Sequence, residues 1–472
     1  MQKLNIAVCI KQTVDKEINP FDACALEEAL RIENADVTVL CMGPQSAEEM
    51  LLRISRLGVK RCILLTDPVL AGSDTLVTAY ALSCAVKSLS PAPELILCGR
   101  QSVDGDTAQV GPELSVALGY SLITNVMKLG VSLAENKLIC TTRFGEESAA
   151  LPAVATIERI NTLRFPKLGS KSVGVEKITA ADIGADAKRC GLAASPTKVL
   201  KTFESSLGKR KCRFVTLAEL DDIMRTEAER ERTDAASVPS DGKKLPLVWC
   251  VGEKPLEKAR TVAEDIRIID ESLSPFDIAE LAKEEKPSVI LWSSDFLGRR
   301  NAPQAAYLLS TGLCADCTKL ETDGEKLFMY RPAFSGSIIA KIECRTLPQM
   351  ATVRSAEETE ESIMIGVGVG AAEVIGELRE YAETHGCGFG ASRAAVDKLA
   401  LPYEYQIGLT GRSVCPKVYL AVGISGAVQH TCAVDRAGCI IAVNTDRNAR
   451  IFEYADYGII ADAKELLSSL PM

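Results

Sequence analysis

Two stretches of this chain carry residue types that can hold a phosphate, and each begins where an apolar run gives out. The later one starts at Gly423–Ile424–Ser425–Gly426, directly after Val418–Val422. Two further apolar runs, Cys439–Val443 and Gly458–Ile460, end in Asn444–Thr445–Asp446 and in Asp462. Wholly apolar runs of this length read as buried parallel strands. In an open parallel sheet the ligand lies beyond the carboxyl ends of the strands. Glycine lets the backbone approach it there, and a helix N-terminus, expected near Ser425, offers free N–H groups to an anion. The earlier stretch, Gly99 to Gly105, follows the run Glu94–Cys98 and forms a second loop of the same type. Asp106 or Thr107 is the expected N-cap of the helix after it. Singly, each glycine motif also fits an ordinary strand-to-helix turn.

Other reactive side chains say less. Of 17 cysteines only Cys314 and Cys317 form a C-x-x-C pair, and no second pair stands at ligand spacing. Most of the rest lie in or beside apolar runs, where cysteine is a small hydrophobe, so no metal site is expected. There are two histidines. His385 precedes Gly386 and reads as a helix end; His430 falls in Ser425–Gly426–Ala427–Val428–Gln429–His430, close to the later loop.

The elements that position these loops alternate. Leu4–Ile10, Val37–Met42, Cys62–Thr66 and Glu94–Cys98 read as strands, and Asp22–Arg31, Ala47–Leu57 and Asp74–Ser88 as helices between them. That order predicts an α/β fold with a parallel sheet and right-handed crossovers. The pattern then returns: Pro93–Leu97 is echoed by Pro287–Leu291, Gly119 by Gly312, Lys128–Leu129 by Lys319–Leu320, and Leu151–Thr156 by Leu347–Thr352. A domain-sized offset argues duplication rather than a solenoid. A second NPFD-like element, Ser274–Pro275–Phe276–Asp277, is out of register and reads as coincidence. Between the repeats, residues 218–245 pass from a charged helical stretch into a polar Pro- and Gly-bearing linker.

Composition bounds the class. The chain has 472 residues, 47% hydrophobic and 25% charged, with a net charge of −9. These values suit a globular protein of several domains and argue against nucleic-acid or anionic-membrane partners. No run of 18 apolar residues would span a membrane. The opening MQKLNIAVCIKQ lacks a long apolar core, and with so many cysteines it points to a reducing, cytoplasmic setting.

Residues 390 to 462 carry a resemblance. Gly390–Ala391–Ser392–Arg393–Ala394–Ala395–Val396–Asp397, Gln406–Ile407–Gly408–Leu409–Thr410–Gly411, the Gly423–His430 segment, Asn444–Thr445–Asp446 and the Ala455–Asp462 run are similar, in order, to the FAD-binding domain of the electron transfer flavoprotein α subunit. Residues 1 to 230 resemble the β subunit: Asn19–Pro20–Phe21–Asp22, Met42–Gly43–Pro44 and the Gly99 loop match its elements, and Ser195–Pro196–Thr197 the start of the arm that crosses to its partner. The segment from Leu297 to Arg354 resembles domain I of the α subunit, with a strand–helix unit or more before Leu247 missing or remodelled. The chain thus resembles a β–α fusion: a β-like domain at 1–195, arm and linker at 196–245, a shortened α domain I at 246–355 and the FAD-binding domain at 356–472. The expected fold is two related parallel-sheet domains plus a C-terminal doubly wound domain.

The resemblance implies roles residue by residue. Arg393, His430 and Thr410 would serve the flavin ring, with His430 near its N1–C2=O edge, where positive charge stabilises a reduced flavin. Ser392, Gln406, Ile407, Gly408, Leu409, Gly423, Ser425, Gly426, Ala427, Gln429, Asn444, Thr445, Asp446 and Asp462 would bind the rest of FAD. Leu409 replaces the family's usual Gln and Arg412 its usual Lys; Leu409 removes polarity near the ring. In the first domain Cys9, Asn19, Phe21, Asp22, Met42, Gly99, Arg100, Gln101, Asp104, Gly105, Asp106, Thr107, Gln109, Val110 and Gly111 would form the second site. Their loop is similar to that of electron-bifurcating members, which hold a second FAD where carrier-type members hold AMP; small Gly105 and Ala108 leave the room. Leu168 matches the family's partner-docking leucine, though it equally fits a residue packed under its own loop.

The expected function is therefore electron transfer through FAD, two per chain. NADH would be the donor, with electrons divided between a ferredoxin or flavodoxin and an acyl-CoA-type dehydrogenase. Two alternatives stand beside it: a plain shuttle with one FAD and one AMP serving acyl-CoA-type dehydrogenases, and an adenine-nucleotide sensor without redox chemistry.

Overall fold

The computed structural model describes residues 3–204, 209–230, 242–334, 336, 338–355, 361–408 and 411–470. By proximity along the backbone it divides into two units: Met1–Thr202, Ser240–Phe334 and Ile339–Arg354 form one, Phe203–Pro239, Ser335–Ile338 and Ser355–Met472 the other.

The first domain of the larger unit alternates strand and helix: β1 Leu4–Ile10, α1 Pro20–Arg31, β2 Ala35–Met42, α2 Ala47–Ile54, β3 Arg61–Leu65, α3 Thr75–Ser88, β4 Leu95–Gly99, α4 Val110–Leu118, β5 Ser121–Ser132, β6 Lys137–Thr142, β7 Gly145–Ala150, β8 Ala153–Ile157 and β9 Glu176–Ile178. The sheet order is β7-β6-β5-β8-β4-β1-β2-β3-β9, parallel from β5 to β9, with β6 and β7 added as antiparallel hairpins. The strands are apolar almost throughout because side chains on both faces are covered: Leu4, Ile6 and Val8 enter one core and Ala7 and Cys9 the other. Each fully buried Val, Leu or Ile contributes about 1.5–3 kcal/mol. Strand order reverses between β1 and β4, and the crevice beyond their carboxyl ends is the switch point of this sheet.

The second domain repeats the topology. Its five parallel strands lie in the order Ala263–Ile269, Leu245–Val251, Val289–Ser293, Gln349–Val353, Leu313–Cys317, matching β2-β1-β4-β8-β5. The two domains differ at the edge of the sheet where Ala263–Ile269 lies. Leu245–Val251 pairs with Val289–Ser293 as β1 pairs with β4, so the first strand is present, and among the described residues no counterpart of β3 joins the sheet. Both copies bulge at the same place. Register shifts between Ile123 and Val126, and again between Cys314 and Cys317. In each bulge a residue with left-handed φ, Asn125 or Asp316, donates its N–H to the threonine closing the repeated motif, Thr156 or Thr352. Ser274–Asp277 belongs instead to the start of the helix after the second strand, where Ser274 and Asp277 form a capping box.

Residues 196–245 divide. Thr197–Glu204 joins a small sheet beside Ile338–Cys344. Arg213–Phe214 pairs in parallel with Tyr457–Ile460, and Leu220 and Met224, from helix Leu220–Glu229, enter the core of the smaller unit. Residues 231–241, the centre of the expected linker, lie outside the described residues.

The smaller unit holds a seven-stranded sheet. From one edge its strands are Arg213–Phe214, Tyr457–Ile460, Cys439–Asn444, Val418–Val422, Ile363–Val367, Gly388–Ser392 and Gln406–Ile407, all parallel. Counted along the chain from Ile363, this is the doubly wound order 3-2-1-4-5-6, with its switch point between Ile363–Val367 and Val418–Val422.

Candidate functional site

At the switch point of the smaller unit, two glycine-bearing turns lie against each other. Gly423 has φ +63°, and a Cβ there would come within 2.6 Å of Ala371 N. A Cβ on Gly368 would lie 2.1 Å from the Gly423 carbonyl oxygen, which accepts the Gly370 N–H at 3.1 Å. Gly368 and Gly370 thus form the second of these turns, and the Gly-Val-Gly-Val-Gly spacing of 366–370 at a strand end is its signal in the sequence. Asn444, at the end of the neighbouring strand, donates from Nδ2 to the Ile424 carbonyl at 3.0 Å and accepts the Asp446 N–H at 2.9 Å. It thereby braces the loop from the side. Ser425, Ala427, Gln429, Thr445 and Asp446 are exposed along this edge. The helix expected from Ser425 is a single turn at Val428–Thr431, because Gly426 at φ +84° is wedged against Ile451 N and keeps the chain out of helical geometry until Ala427 has passed.

Ser392 ends its strand and caps helix Arg393–Leu399, accepting the Ala395 N–H at 3.4 Å. Arg393 opens that helix, half-buried, and meets Asp397 at 3.3 Å. Asp462 is engaged as an N-cap, accepting from Lys464 N and Glu465 N, both at 2.8 Å. Gln406 and Ile407 are buried, and Arg412 N donates to the Gln406 carbonyl at 2.7 Å. Leu409 and Thr410 lie outside the described residues. His430 is buried, with Nδ1 3.1 Å from the Ile407 carbonyl oxygen and Nε2 2.9 Å from the Tyr419 hydroxyl. Burial lowers its pKa to about 4, against the smaller raising effect of the Ile407 hydrogen bond. The ring is neutral near pH 7, and Arg393 is left as the charged member of the pair.

In the first domain Cys9, Asn19, Phe21, Asp22, Met42 and Gly99–Asp106 are brought to the carboxyl edge where β1 and β4 diverge. Asp22 spans the crevice: Oδ2 accepts the Lys11 N–H at 2.8 Å and Oδ1 the Gly99 N–H at 3.0 Å. Desolvation raises its pKa to about 7 against these hydrogen bonds and that from Asn19. A Cβ on Gly99 would lie 2.3 Å from Asp22 Oδ1 and 2.6 Å from its backbone nitrogen, so only glycine admits α1 so close. Asn19 leaves its own helix uncapped in order to hold the loop, donating to the Gln101 carbonyl at 2.8 Å and accepting the Val103 N–H at 3.2 Å. Gln101 donates to Asp106 at 2.9 Å. Lys11, which motif reading missed, places its ammonium 3.4 Å from Asp104.

The helix after this loop starts later than expected. Left-handed φ falls on Asp106 (+52°) and Ala108 (+58°). These two residues keep the chain irregular, so α4 starts at Val110 with Gln109 at the cap position, beyond Asp106 and Thr107. Gln109 turns inward, accepting from the Thr75 hydroxyl at 2.7 Å and donating to the Leu313 carbonyl at 3.0 Å, while Gly111 closes on Thr156. Arg100 is buried against Glu158 at 3.2 Å and over the Phe21 ring. In the second domain, Ser294 and Asp295 alone separate strand from helix at the equivalent place, and a Cβ on Gly298 would strike the Ser293 carbonyl. That copy has no comparable loop at this place.

Leu168 is fully exposed at 106% and Phe165 at 90%, so neither is packed under its loop. Cys314 and Cys317 are buried in a strand, and among the described residues no group of three or more His, Cys, Asp or Glu side chains is placed to hold a metal ion. Among the same residues no helix is long and apolar enough to cross a membrane.

The arrangement in the smaller unit suits FAD: a doubly wound sheet, a crevice at its switch point, and turns that only glycine can form. Comparison with known proteins agrees. The electron transfer flavoprotein domain family matches residues 6–183 and 277–367, more than half of the chain, and the electron transfer flavoprotein FAD-binding domain matches residues 357–435. The electron transfer flavoprotein subunit alpha of Thermoanaerobacterium thermosaccharolyticum is 36% identical over 239 residues, spanning 41% of this chain and 72% of that protein. Protein FixA of Bradyrhizobium diazoefficiens is 36% identical over 258 residues, spanning 50% of this chain and 89% of its own length. Protein FixB of Rhizobium meliloti is 36% identical over 242 residues, covering 41% and 68%. The chain belongs to the electron transfer flavoprotein family, with that family's general domain and its FAD-binding domain in one 472-residue polypeptide.

Proposed function

We propose that this chain is a fused electron carrier of the bifurcating type, with a nucleotide site in each unit and FAD in both. It oxidises NADH and passes one electron to a low-potential ferredoxin or flavodoxin and the other to an acyl-CoA-type dehydrogenase. The observation that carries the reading is the long Gly99–Gln109 segment at the switch point of the first sheet, held open by Asn19 and Asp22 in a domain whose duplicate has lost it. A Cβ on Gly105 would meet only Ser102 Oγ, at 3.3 Å, which supports a loop with space for a ligand larger than AMP.

FAD, when bound, supplies the electron-accepting ring. The protein's part is placement and charge. Gly423 and Gly426 form the turn beneath the C-terminal site, with Asn444 and Ser392 beside it, and Arg393 supplies positive charge. Lys11 and the backbone of the Gly99 loop serve the first-domain site, and Leu168 is the docking contact for the dehydrogenase, an exposed apolar anchor of the kind that carries small interfaces.

The test is a count. Chain purified gently, reconstituted with excess FAD and freed of unbound flavin should hold two FAD per chain and bleach rapidly with NADH. One FAD per chain, with AMP released on denaturation and no NADH bleaching, would replace this reading with the plain shuttle. No retained flavin would leave a nucleotide-binding protein without redox chemistry.

A further inference from the structure

His430 links the turn after Gly426 to the backbone at Gln406–Gly408, and it is met in the interior by a side chain that no motif marks. Tyr419 lies within strand Val418–Val422 and is fully buried. Its hydroxyl is 2.9 Å from His430 Nε2, and His430 Nδ1 is 3.1 Å from the Ile407 carbonyl oxygen. A carbonyl oxygen only accepts, so Nδ1 carries the ring proton. Nε2 is then the acceptor and the Tyr419 hydroxyl the donor. Two glycines make this line of contacts possible. A Cβ on Gly366, in the first strand of the domain, would lie 1.8 Å from the Tyr419 hydroxyl. A Cβ on Gly408 would lie 3.0 Å from the Gln429 carbonyl, so the chain after Ile407 rests directly on the His430 turn.

We propose that Tyr419 is a positioning residue for the flavin site: by donating to Nε2 it satisfies the bare nitrogen of the Nδ1–H tautomer that the Ile407 carbonyl requires, and so holds His430 where its Nδ1 proton ties that carbonyl to the turn after Gly426. The proposal rests on the placement of FAD at this edge. Burial keeps the ring neutral, so the competing state is the other neutral tautomer. In that state the bare Nδ1 would face the Ile407 carbonyl, acceptor against acceptor, and the Gln406–Gly408 segment would lose its anchor. Tyr419 is therefore assigned a role that a phenylalanine of the same shape cannot fill.

The chain's two histidines make the test direct. Full-length protein carrying ring-15N histidine, compared with a His385→Gln variant, identifies the His430 nitrogens. Wild type should show a protonated Nδ1 and a bare, hydrogen-bonded Nε2. In Tyr419→Phe the Nε2 signal should move or divide between tautomers, and FAD should leave the C-terminal site about tenfold faster, as expected for one buried hydrogen bond. A Tyr419→Phe protein with an unchanged Nε2 signal overturns the proposal, even if flavin is lost, because the effect is then one of packing. A changed tautomer with unchanged FAD dissociation overturns it too, since Tyr419 then positions nothing that the flavin senses. Gly366→Ala, which crowds the same hydroxyl, should reproduce both changes, and failure to do so counts against the proposal. Wild-type protein that holds no FAD at this site refutes the proposed function instead; the ring-nitrogen measurement, made on flavin-free protein, still reads the tautomer.

Discussion

Asp22→Asn tests whether the first-domain crevice is braced by a buried carboxyl group that titrates near neutrality. The wild-type carboxyl is enclosed, and desolvation raises its pKa from the ordinary 3.8 to about 7 although Lys11, Asn19 and Gly99 hydrogen-bond to it. A shift of about three units corresponds to about 4 kcal/mol. The sign follows from proton binding. Below the ordinary carboxylate pKa the folded and unfolded groups are both protonated, and the native state has its full stability. As pH rises towards 7 the unfolded carboxyl ionises freely while the buried one resists, so stability falls until the folded group also ionises. Asparagine cannot titrate. It keeps one acceptor for one of the two backbone N–H groups but turns an amide donor on the other, at a cost of about 1–3 kcal/mol. The variant should therefore be the less stable protein in mild acid, and its disadvantage should shrink by about 2 kcal/mol between about pH 5.5 and pH 8. Hydrogen exchange of peptides covering Leu4–Ile10 and Leu95–Gly99, corrected for intrinsic rates, reports the opening free energy of this domain. A difference between variant and wild type that is the same at both pH values would refute the argument.

Asp316 behaves in the opposite sense. Burial alone would raise its pKa, but Arg354 and Arg299 more than offset that and hold it well below the usual range, so its stabilisation is present above the ordinary carboxylate pKa and lost as pH falls. Asp316→Ala leaves two arginines without their buried partner and should cost about 3–5 kcal/mol in denaturant unfolding followed through Trp249 and Trp292 of the same domain. Arg393→Ala should lower the one-electron potential of the C-terminal flavin by the equivalent of about 1–4 kcal/mol, towards the low end because Asp397 lies 3.3 Å from it; spectroelectrochemistry of FAD-loaded protein reads this, and an unchanged potential removes Arg393 from the site. Leu168→Ala removes a fully exposed side chain, so thermal stability should move by no more than about 0.5 kcal/mol while electron transfer to the dehydrogenase slows; unaltered transfer would free this loop of a docking role.

Much of this architecture is legible from local pattern. Val418–Val422 and Leu4–Ile10 are strands because strands covered on both faces must be apolar at every position, and that needs no knowledge of neighbours. The duplication shows because bulge and closing threonine recur together, so Leu151–Thr156 and Leu347–Thr352 keep their form. What depends on distant partners is not legible. Only pairing shows that Leu245–Val251 takes the place of β1 in the second domain. The start of α4 at Val110 is not legible, because Asp106 and Ala108 are held in left-handed conformations that composition does not announce. Asn19 and Asp22 were legible as a motif, yet their work is done on Gln101 and Gly99, roughly eighty residues away, and that is decided by the parallel crossover that sets β1 beside β4. His430 could be found from its segment, but its neutral ring and fixed tautomer come from burial against Tyr419 and Ile407. These contacts exist only once three strands and a turn have closed on one another.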